Sequence, residues 1–310
     1  MQNRNLISVV IPTYNHHGRE PDLLNLINSL LSTSNSAFIG EIIIVDNGNS
    51  LSVDKLKVIN KRTKIISESR IGLNYARNTG VSYAAFDIVS FVDDNVIVSS
   101  NWAKSIVNGY TNNDVFCVGG PVLVNGKESN RYPRWFSNYF LRFLLPPAFP
   151  IQAGIVRSPY YLIGANMSFK RGTFDRFGLF DPELDRKGKN LLSNGDIEFM
   201  MRIPTDKVWY EPQAIVFEKI PETRLTRRFM MRRLFWQGIS DYIMVKKGGL
   251  NNFYDKNEIL LTPSFLNKVI SVIAKGQIFE AYCMFVRKFG FKYGRIYLKI
   301  NQEASIKPTS

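Results

Sequence analysis

The sequence is poor in the residues that carry several common kinds of chemistry. Its 310 residues include two histidines, His16 and His17, and two cysteines, Cys117 and Cys283. The scarcity of histidine argues against a Ser-His-Asp hydrolase and against a histidine-rich metal site. The cysteines lie in apolar surroundings, which is typical of core residues in a reducing compartment rather than of a disulfide scaffold. Acid–base chemistry is therefore expected from carboxylates.

Long apolar runs are also missing. No stretch reaches the roughly 20 apolar residues needed to span a bilayer, and residues 1–5 lack the apolar core of a secretory signal, so we expect a cytoplasmic protein. Lysine and arginine (40) outnumber aspartate and glutamate (26), which gives a formal net charge of +14. This excess favours anionic partners such as nucleotides, phospholipid surfaces or nucleic acid, without choosing among them.

Short β-branched runs alternate with helical segments in the first half of the chain. We predict strands at residues 7–11, 42–45, 64–67 and 88–92, and the alternation predicts an α/β fold with a mostly parallel, doubly wound sheet. In open α/β sheets, ligands bind outside the carboxyl ends of the strands. Three polar clusters follow predicted strands there: Pro12, Thr13, Tyr14 and Asn15; Asp46 and Asn47; and Asp93, Asp94 and Asn95.

The adjacent carboxylates of Asp93 and Asp94 repel each other unless a cation or a hydroxyl compensates them. A Mg²⁺ or Mn²⁺ ion that takes one or two protein carboxylates and the oxygens of a diphosphate would do so. The alternative is a solvated turn, or an N-cap before a helix at Asn101. In a helix over residues 72–84, small residues allow close packing on the sheet, and Arg70 and Arg77 are able to reach an anion; the alternative is two ordinary surface arginines.

The second half of the chain is predicted to contain an aromatic loop and long helices. Residues 132–161 are irregular, and their aromatic side chains, among them Trp135, Phe136, Tyr139 and Phe140, either contact the substrates or pack against the sheet. We predict a helix at residues 194–202, a strand at 214–217, and amphipathic helix over the final 45 or so residues. Another predicted helix has an apolar face formed by Leu225, Phe229, Trp236, Ile239 and Ile243.

Basic residues flank that last apolar face. They predict either a surface that contacts a lipid diphosphate or an anionic membrane, or a solvated helix face. The residues are Arg227, Arg228, Arg232, Arg233, Lys246 and Lys247.

Together these segments resemble family 2 glycosyltransferases, inverting enzymes with the GT-A fold, over roughly residues 6–240. Residues 8–15 (SVVIPTYN) and 42–50 (IIIVDNGNS) are similar to two donor-binding strands of that family. Residues 72–80 (GLNYARNTG) and 87–95 (DIVSFVDDN) are similar to its arginine-bearing helix and its DxD-type strand. Residues 163–169 (IGANMSF) resemble an acceptor-side strand, and 194–199 (NGDIEF) the segment that carries the catalytic base.

The resemblance implies roles for individual residues, with Asp196 as the general base and Asp46 as the residue that recognises the nucleotide base. The implied nucleotide-sugar site comprises Pro12, Thr13, Tyr14, Asn15, Asp46, Asn47, Arg70, Arg77, Asp93 and Asp94. The implied ligands of Mg²⁺ or Mn²⁺ are Asp94, Asn95 and Glu218. The implied acceptor side comprises Asn166, Glu198, Arg224 and Trp236. The sequence departs from the family pattern at Asn95, Gly195 and Glu218, where relatives commonly carry Asp, Glu and His.

The resemblance also implies an architecture. A GT-A domain, with a Rossmann-like, mostly parallel sheet flanked by helices, is expected over residues 1–240, with a donor half (1–125) and an acceptor half (126–240). A helical extension is expected over residues 241–310.

The implied reaction is inverting transfer from a nucleotide-sugar, expected to be a UDP-sugar, to a saccharide, glycolipid or lipid-linked acceptor. Such an enzyme serves polysaccharide biosynthesis at the cell envelope, in the cytoplasm or peripherally at the inner face of the membrane. The alternatives are a nucleotide-sugar-binding relative with weak or no turnover and a sugar-phosphate nucleotidyltransferase, which would need a glycine-rich loop at residues 12–15. Nucleic-acid binding is not expected, because no recognition module is present.

Overall fold

The computed structural model describes residues 6–14, 20–49, 51, 61–111, 114–124, 132–145, 152–157, 161–248 and 262–306. The chain forms two compact units. The first unit comprises Met1–Ser129, Pro146–Glu183 and Gly195–Lys219. The second unit comprises Asn130–Leu145, Leu184–Asn194 and Ile220–Ser310.

The strands all belong to the first unit. They are β1 (Ile7–Thr13), β2 (Ile39–Asn47), β3 (Thr63–Glu68), β4 (Ile88–Phe91), β5 (Val96–Val98), β6 (Cys117–Gly119), β7 (Val122–Val124), β8 (Gly154–Ile155), β9 (Met167–Lys170), β10 (Val208–Tyr210) and β11 (Val216–Glu218). The helices are α1 (Glu20–Leu30), α2 (Thr33–Ser36), α3 (Leu73–Tyr83), α4 (Trp102–Thr111), α5 (Asn138–Leu141), α6 (Gly172–Phe177), α7 (Gly195–Met201), α8 (Arg227–Lys246), α9 (Pro263–Ala274) and α10 (Ile278–Ile306). Of these helices, α5, α8, α9 and α10 belong to the second unit.

An eight-stranded sheet in the order β3-β2-β1-β4-β9-β6-β10-β8 forms the centre of the first unit. Strands β3, β2, β1 and β4 are parallel to one another. Strand β9 runs antiparallel to its neighbours β4 and β6, and β10 is parallel to β6 but antiparallel to β8. A smaller sheet of three strands has the order β5-β11-β7. The predicted α/β fold with a mostly parallel sheet is confirmed.

The strands that the sequence predicted best are those buried on both faces. Every described residue of β1 and β4 is buried, as their continuous apolar sequences require. Beside them the core contains a cluster of phenylalanine rings, in which the closest pair, Phe180 and Phe199, has ring centroids 4.6 Å apart. Apolar burial of this kind is the main stabilising term of the first unit.

The second unit is helical. Helix α8 begins after Thr226, whose hydroxyl accepts a hydrogen bond from the amide of Phe229 at 3.2 Å as an N-cap. Because α8 extends from residue 227 to 246, the predicted domain boundary at residue 240 lies inside a helix. The division into a donor half, an acceptor half and an extension remains a prediction.

The aromatic loop forms part of the core of the second unit. Phe140 on α5 is fully buried and packs with Met230, Leu234 and Cys283 from α8 and α10. The Trp135 ring lies edge-on to that of Phe279, with centroids 5.2 Å apart. These rings therefore pack against helices of the second unit, and their predicted contact with the substrates stays a prediction.

The prediction that Arg233 lies on a basic surface is wrong. Its side chain is buried, and Nη1 donates to Oε1 of Gln237 at 2.8 Å. Gln237 in turn donates to Asp241, which accepts from Nε of Arg287 at 2.7 Å. Residues 233, 237 and 241 share one face of α8, so this face carries a buried polar network. By contrast, Arg227, Arg228 and Arg232 are exposed, as predicted.

Candidate active site

The carboxyl ends of β2, β1 and β4 bring predicted polar residues to one edge of the sheet. Strand order reverses at β1, with β2 on one side and β4 on the other, and ligands bind at such switch points. Thr13 pairs in register with Asp46, and Val10 pairs with Phe91. Asp94 lies in the turn after β4, so it lies at the same end of the parallel strands as Asp46.

The acidic residues at this edge are largely removed from solvent. Asp46 is 6% exposed and Asp94 is 8% exposed, and the amide of Leu51 donates to Oδ2 of Asp46 at 3.1 Å. Asp93 is half-buried.

The predicted donor loop is only partly described. Pro12 and Thr13 are buried residues of β1, and Tyr14 is exposed. Asn15 lies outside the described residues.

Asn47 holds a loop. Its Nδ2 donates to the backbone carbonyls of Glu68 at 3.0 Å and Arg70 at 2.7 Å, and its Oδ1 accepts from the amide of Gly72 at 2.8 Å. The side chain is 2% exposed. These three hydrogen bonds fix the segment between β3 and α3, and Arg70 lies on this segment.

Arg70 is held by a carboxylate that the sequence did not indicate. Its guanidinium contacts Glu68 through Nε at 3.0 Å and Nη2 at 2.8 Å. This pairing, with further hydrogen bonds from Thr79 and from the Arg70 amide, lowers the pKa of Glu68 to about 2. The Arg70 side chain is 63% exposed, whereas that of Glu68 is 7% exposed. A surface guanidinium with a fixed position can receive an anion.

Asp196 lies in the first turn of α7 and is half-buried. Its Oδ2 accepts a hydrogen bond from the amide of Gly164 at 2.9 Å, and its Oδ1 accepts from the amide of Ile197 at 2.9 Å. Gly164 precedes β9, and Met167 of β9 pairs antiparallel with Phe91 of β4. The chain that enters β9 therefore lies at the sheet edge where β4 ends, the edge that carries Asp94.

Arg77 and Asn74 of α3 complete the surroundings of Asp196. Arg77 is 3% exposed, and its Nη1 donates to Oδ1 of Asn74 at 3.0 Å. A Cβ on Gly164 would lie 1.8 Å from Nη2 of Arg77, so the guanidinium packs directly on the backbone whose amide holds Asp196. We call Asn74, Arg77, Gly164 and Asp196 the base cluster.

The base cluster gives a steric reason for glycine at position 195. A Cβ there would lie 2.3 Å from Nδ2 of Asn74, which also donates to the carbonyl of Asp181 at 2.8 Å. The Asn74 side chain thus occupies the space that a side chain at position 195 would enter. Glycine at position 195, where the family commonly has Glu, therefore leaves room for the Asn74 side chain of α3.

The predicted metal ligands come from two neighbouring segments. Asn95 lies in the turn between β4 and β5, and Glu218 at the end of β11 is 4% exposed. Nδ2 of Asn95 lies 3.4 Å from Oε1 of Glu218 and donates to the carbonyl of Lys219 at 2.9 Å.

Across the described ranges, no three His, Cys, Asp or Glu side chains converge as a metal site. The buried carboxylates of Asp94 and Glu218 are hard oxygen donors of the kind that Mg²⁺ and Mn²⁺ take, and diphosphate oxygens and waters would supply the remaining ligands of such an ion.

Two predicted acceptor-side residues have structural partners in the first unit. Asn166 is fully buried, where its Oδ1 accepts from Nε1 of Trp102 at 2.9 Å and its Nδ2 donates to two backbone carbonyls. Glu198 of α7 forms an ion pair with Arg202, which directly follows this helix. These contacts give both side chains a role in the fold, and their part in acceptor binding remains a prediction.

The other two acceptor-side residues belong to the second unit. Arg224 is half-buried in a 3-10 turn, and Trp236 is half-buried on α8. The Trp236 ring lies edge-on to Tyr297, with centroids 5.6 Å apart. Their predicted roles also remain untested.

Sequence reasoning missed Glu68, Asn74 and Gly164. Asn74 lies three residues before Arg77 on a predicted helix, a spacing that places side chains together, so it was within reach of pattern reasoning. A sequence pattern could not indicate Gly164, because its contact with Asp196 depends on how β9 enters the sheet.

Comparisons with known proteins bear on the family and the fold of the chain. The family model described as Glycosyl transferase family 2 matches residues 8–178. A Glucosyl-dolichyl phosphate glucuronosyltransferase of Haloferax volcanii is 26% identical over 306 residues, which cover 94% of this chain and 95% of the relative. Polypeptide N-acetylgalactosaminyltransferase 8 of Drosophila melanogaster is 27% identical over 192 residues, which cover 55% of this chain and 32% of the relative.

A solved structure supports the fold. The crystal structure of GalNAc-T7 with UDP, GalNAc and Mn²⁺ matches with a TM-score of 0.54 at 18% identity, covering 79% of this chain and 52% of that one. At this identity the likeness concerns the fold alone, and it confirms the predicted GT-A architecture. The chain spans about half of that solved protein and about a third of the fly relative.

Proposed function

Because the chain belongs to glycosyl transferase family 2 and is a glycosyltransferase, we propose that it transfers a sugar from a nucleoside-diphosphate donor with inversion, using Asp196 as the general base. One observation carries this proposal. The Asp196 carboxylate accepts from the Gly164 amide at 2.9 Å, at the sheet edge that also carries Asp46, near the end of β2, and Asp94, in the turn after β4.

The proposed reaction is a single displacement. Asp196 takes the proton of an acceptor hydroxyl while that oxygen attacks the anomeric carbon, and the bond from this carbon to the diphosphate breaks. The nucleoside diphosphate leaves with the bonding electrons, and one displacement inverts the anomeric centre. A carboxylate has about four acceptor positions, and the Gly164 and Ile197 amides use two of them. The remaining positions serve the incoming hydroxyl.

Residues of β1 and β2, and residues that follow β3 and β4, are proposed to hold the donor. Asp46 at the end of β2 would recognise the nucleotide base, and Thr13 and Asp93 would line the sugar-diphosphate site. Arg70, fixed by Glu68, would contact the diphosphate, where charge develops as the bond breaks. Arg77 is buried against Gly164, so we propose that it acts on the charge balance around Asp196.

Asp94 and Glu218, with Asn95 between them, would hold Mg²⁺ or Mn²⁺. Such an ion, when bound, neutralises charge on the departing diphosphate. Both carboxylates are buried, and hard oxygen donors of this kind suit these ions.

The acceptor is proposed to be a lipid-linked saccharide. The relative that aligns over nearly the whole chain is named for action on glucosyl-dolichyl phosphate, and a basic protein suits an acceptor that carries phosphate. Such an acceptor would place the enzyme at the inner face of a membrane, in cell-envelope glycan synthesis. No described helix combines the length and apolar character of a membrane span.

A donor panel tests the proposal. UDP-, GDP- and dTDP-sugars are added with Mn²⁺, and thermal unfolding is followed. Donor at 100 times its Kd should stabilise the protein by about 2.7 kcal/mol. NMR of the product with a lipid-linked acceptor should show the anomeric configuration opposite to that of the donor.

The Asp94→Asn variant serves as the control, because it should lose the Mn²⁺-dependent part of the shift. Failure of all three nucleotide classes to stabilise the protein would exclude the proposed donor. Retention of the anomeric configuration would exclude the single displacement.

A further inference from the structure

Helix α10 has an exposed apolar face. Its large side chains are spaced by 4, 3, 4, 7 and 4 residues, and at about 100° per residue they fall within an arc of about 60°. They are 43% to 69% exposed and extend along about 33 Å of the helix. The residues are Ile278, Tyr282, Phe285, Phe289, Ile296 and Ile300.

Helix α9 carries a second exposed apolar row. Leu266, Ile270 and Ile273 are 47%, 63% and 50% exposed, at spacings of 4 and 3 residues. Another side of α9, which includes Phe265, packs with Ala281 and other residues of α10 in a separate buried cluster. The two helices thus bury one apolar face against each other and expose another. We call the nine exposed residues of α9 and α10 the outer stripe.

Basic side chains accompany the outer stripe. Lys292, Arg295 and Lys299 of α10 are exposed along one side of it, whereas Lys268 of α9 is exposed on the side of its helix away from the apolar row. Glu280 is buried and accepts a hydrogen bond from Ser137. Among the described side chains of α9 and α10, every exposed charged group is therefore basic.

We propose that the outer stripe binds the surface of an anionic lipid bilayer. An exposed apolar stripe beside lysine and arginine is the pattern of a helix that lies in the interface, with its apolar side chains at the boundary between headgroups and acyl chains. The basic side chains would contact lipid phosphates. A second copy is the less suitable occupant, because a symmetric pair of stripes would oppose basic residues with basic residues.

This surface deepens the proposed function, since a lipid-linked acceptor lies in such a bilayer. Vesicle binding needs neither donor nor acceptor. The protein can therefore fail to bind vesicles while it still transfers sugar, and it can bind vesicles while it transfers no sugar, so the two proposals can fail separately.

Flotation with vesicles tests the proposal on the full chain. The protein should float with vesicles of phosphatidylglycerol and phosphatidylcholine but not with phosphatidylcholine alone, and less in high salt. The Ile278→Ser/Phe289→Ser variant replaces side chains that are 69% and 64% exposed. We expect this variant to bind anionic vesicles at least about tenfold more weakly than the wild type, with an unchanged Tm.

The matched control is Tyr83→Ser/Leu123→Ser, which changes exposed apolar residues of the first unit and should float like the wild type. A Lys292→Glu/Lys299→Glu variant should also lose binding. The proposal is overturned if anionic vesicles are not bound, or if the stripe variant and the control bind equally. It is also overturned if light scattering shows a dimer that the stripe variant abolishes.

Discussion

Replacement of Gly195 by alanine should strain the base cluster. The new Cβ would lie 2.3 Å from Nδ2 and 3.2 Å from Cγ of Asn74. Asn74 resists displacement, because it donates to the carbonyl of Asp181 at 2.8 Å and accepts from Arg77 at 3.0 Å. Overpacking of this kind costs about 1–3 kcal/mol. Urea unfolding should therefore show a lower midpoint with an unchanged m-value.

The same variant should lose turnover without losing donor affinity. Gly195 directly precedes Asp196, so a shift of this backbone moves the proposed base relative to the acceptor. A misplacement of about 1 Å can cost on the order of a hundredfold in rate. We expect kcat to fall by about ten- to a hundredfold while the Kd of the donor stays within about twofold.

A double-mutant cycle isolates the contact. Asn74→Ala removes the atoms that the new Cβ would meet and, on its own, should cost about 1–3 kcal/mol through two lost hydrogen bonds. Gly195→Ala should then add almost nothing in the Asn74→Ala background. Gly172→Ala is the control, because a Cβ at Gly172 meets nothing within 4 Å. Costs at 74 and 195 that add to within about 0.5 kcal/mol would refute the steric argument.

Other predictions concern stability and reactivity. The Arg70 guanidinium lowers the pKa of Glu68 to about 2 from an ordinary value of 4.5, so its stabilisation is present above pH 4.5 and is lost as pH falls towards 2. Glu68→Gln should lower the free energy of unfolding by about 1–2 kcal/mol above pH 4.5, a value reduced because the exposed Arg70 is screened by solvent. Urea unfolding from pH 6 to 3 measures this difference. Burial raises the pKa of Cys117, and that of Cys283 to about 12; neither thiol should react with a thiol reagent until the protein unfolds, and fast labelling would contradict their burial. Asn166→Ala leaves buried hydrogen-bonding groups without this partner and should cost about 3 kcal/mol on urea unfolding; a cost below about 1 kcal/mol would contradict that role.

The sequence predicted the parts of the fold that depend on local pattern. Strands β1, β2 and β4 are built around short apolar runs, and their parallel order follows from the helices between them. Strands such as β8 and β10 have two and three residues, too few to show a period. Arg233 was misplaced because its burial depends on Gln237 and Asp241, and an arginine next to an apolar residue gives no sign of such partners.

The candidate site, like the fold, has features that the sequence predicted and features that it did not. Asp46 and Asp94 were expected at one edge because parallel strands end on the same side of a sheet. The hydrogen bond from Gly164 to Asp196 was not predictable, since it requires the antiparallel insertion of β9. Asn47 and Asn166 were expected to contact substrates, and that role stays a prediction. Their side-chain amides donate to backbone carbonyls, and a sequence motif gives no information on such partners.

The separation of donor binding from proton removal tests the central claim most directly. Donor affinity, measured by calorimetry with Mn²⁺, and the rate of sugar transfer are compared for Asp94→Asn and Asp196→Asn. We predict that Asp196→Asn binds the donor like the wild type but transfers sugar at least about a hundredfold more slowly, whereas Asp94→Asn binds the donor weakly. Wild-type transfer by Asp196→Asn, or unchanged Mn²⁺-dependent binding by Asp94→Asn, would contradict the roles given to these two carboxylates.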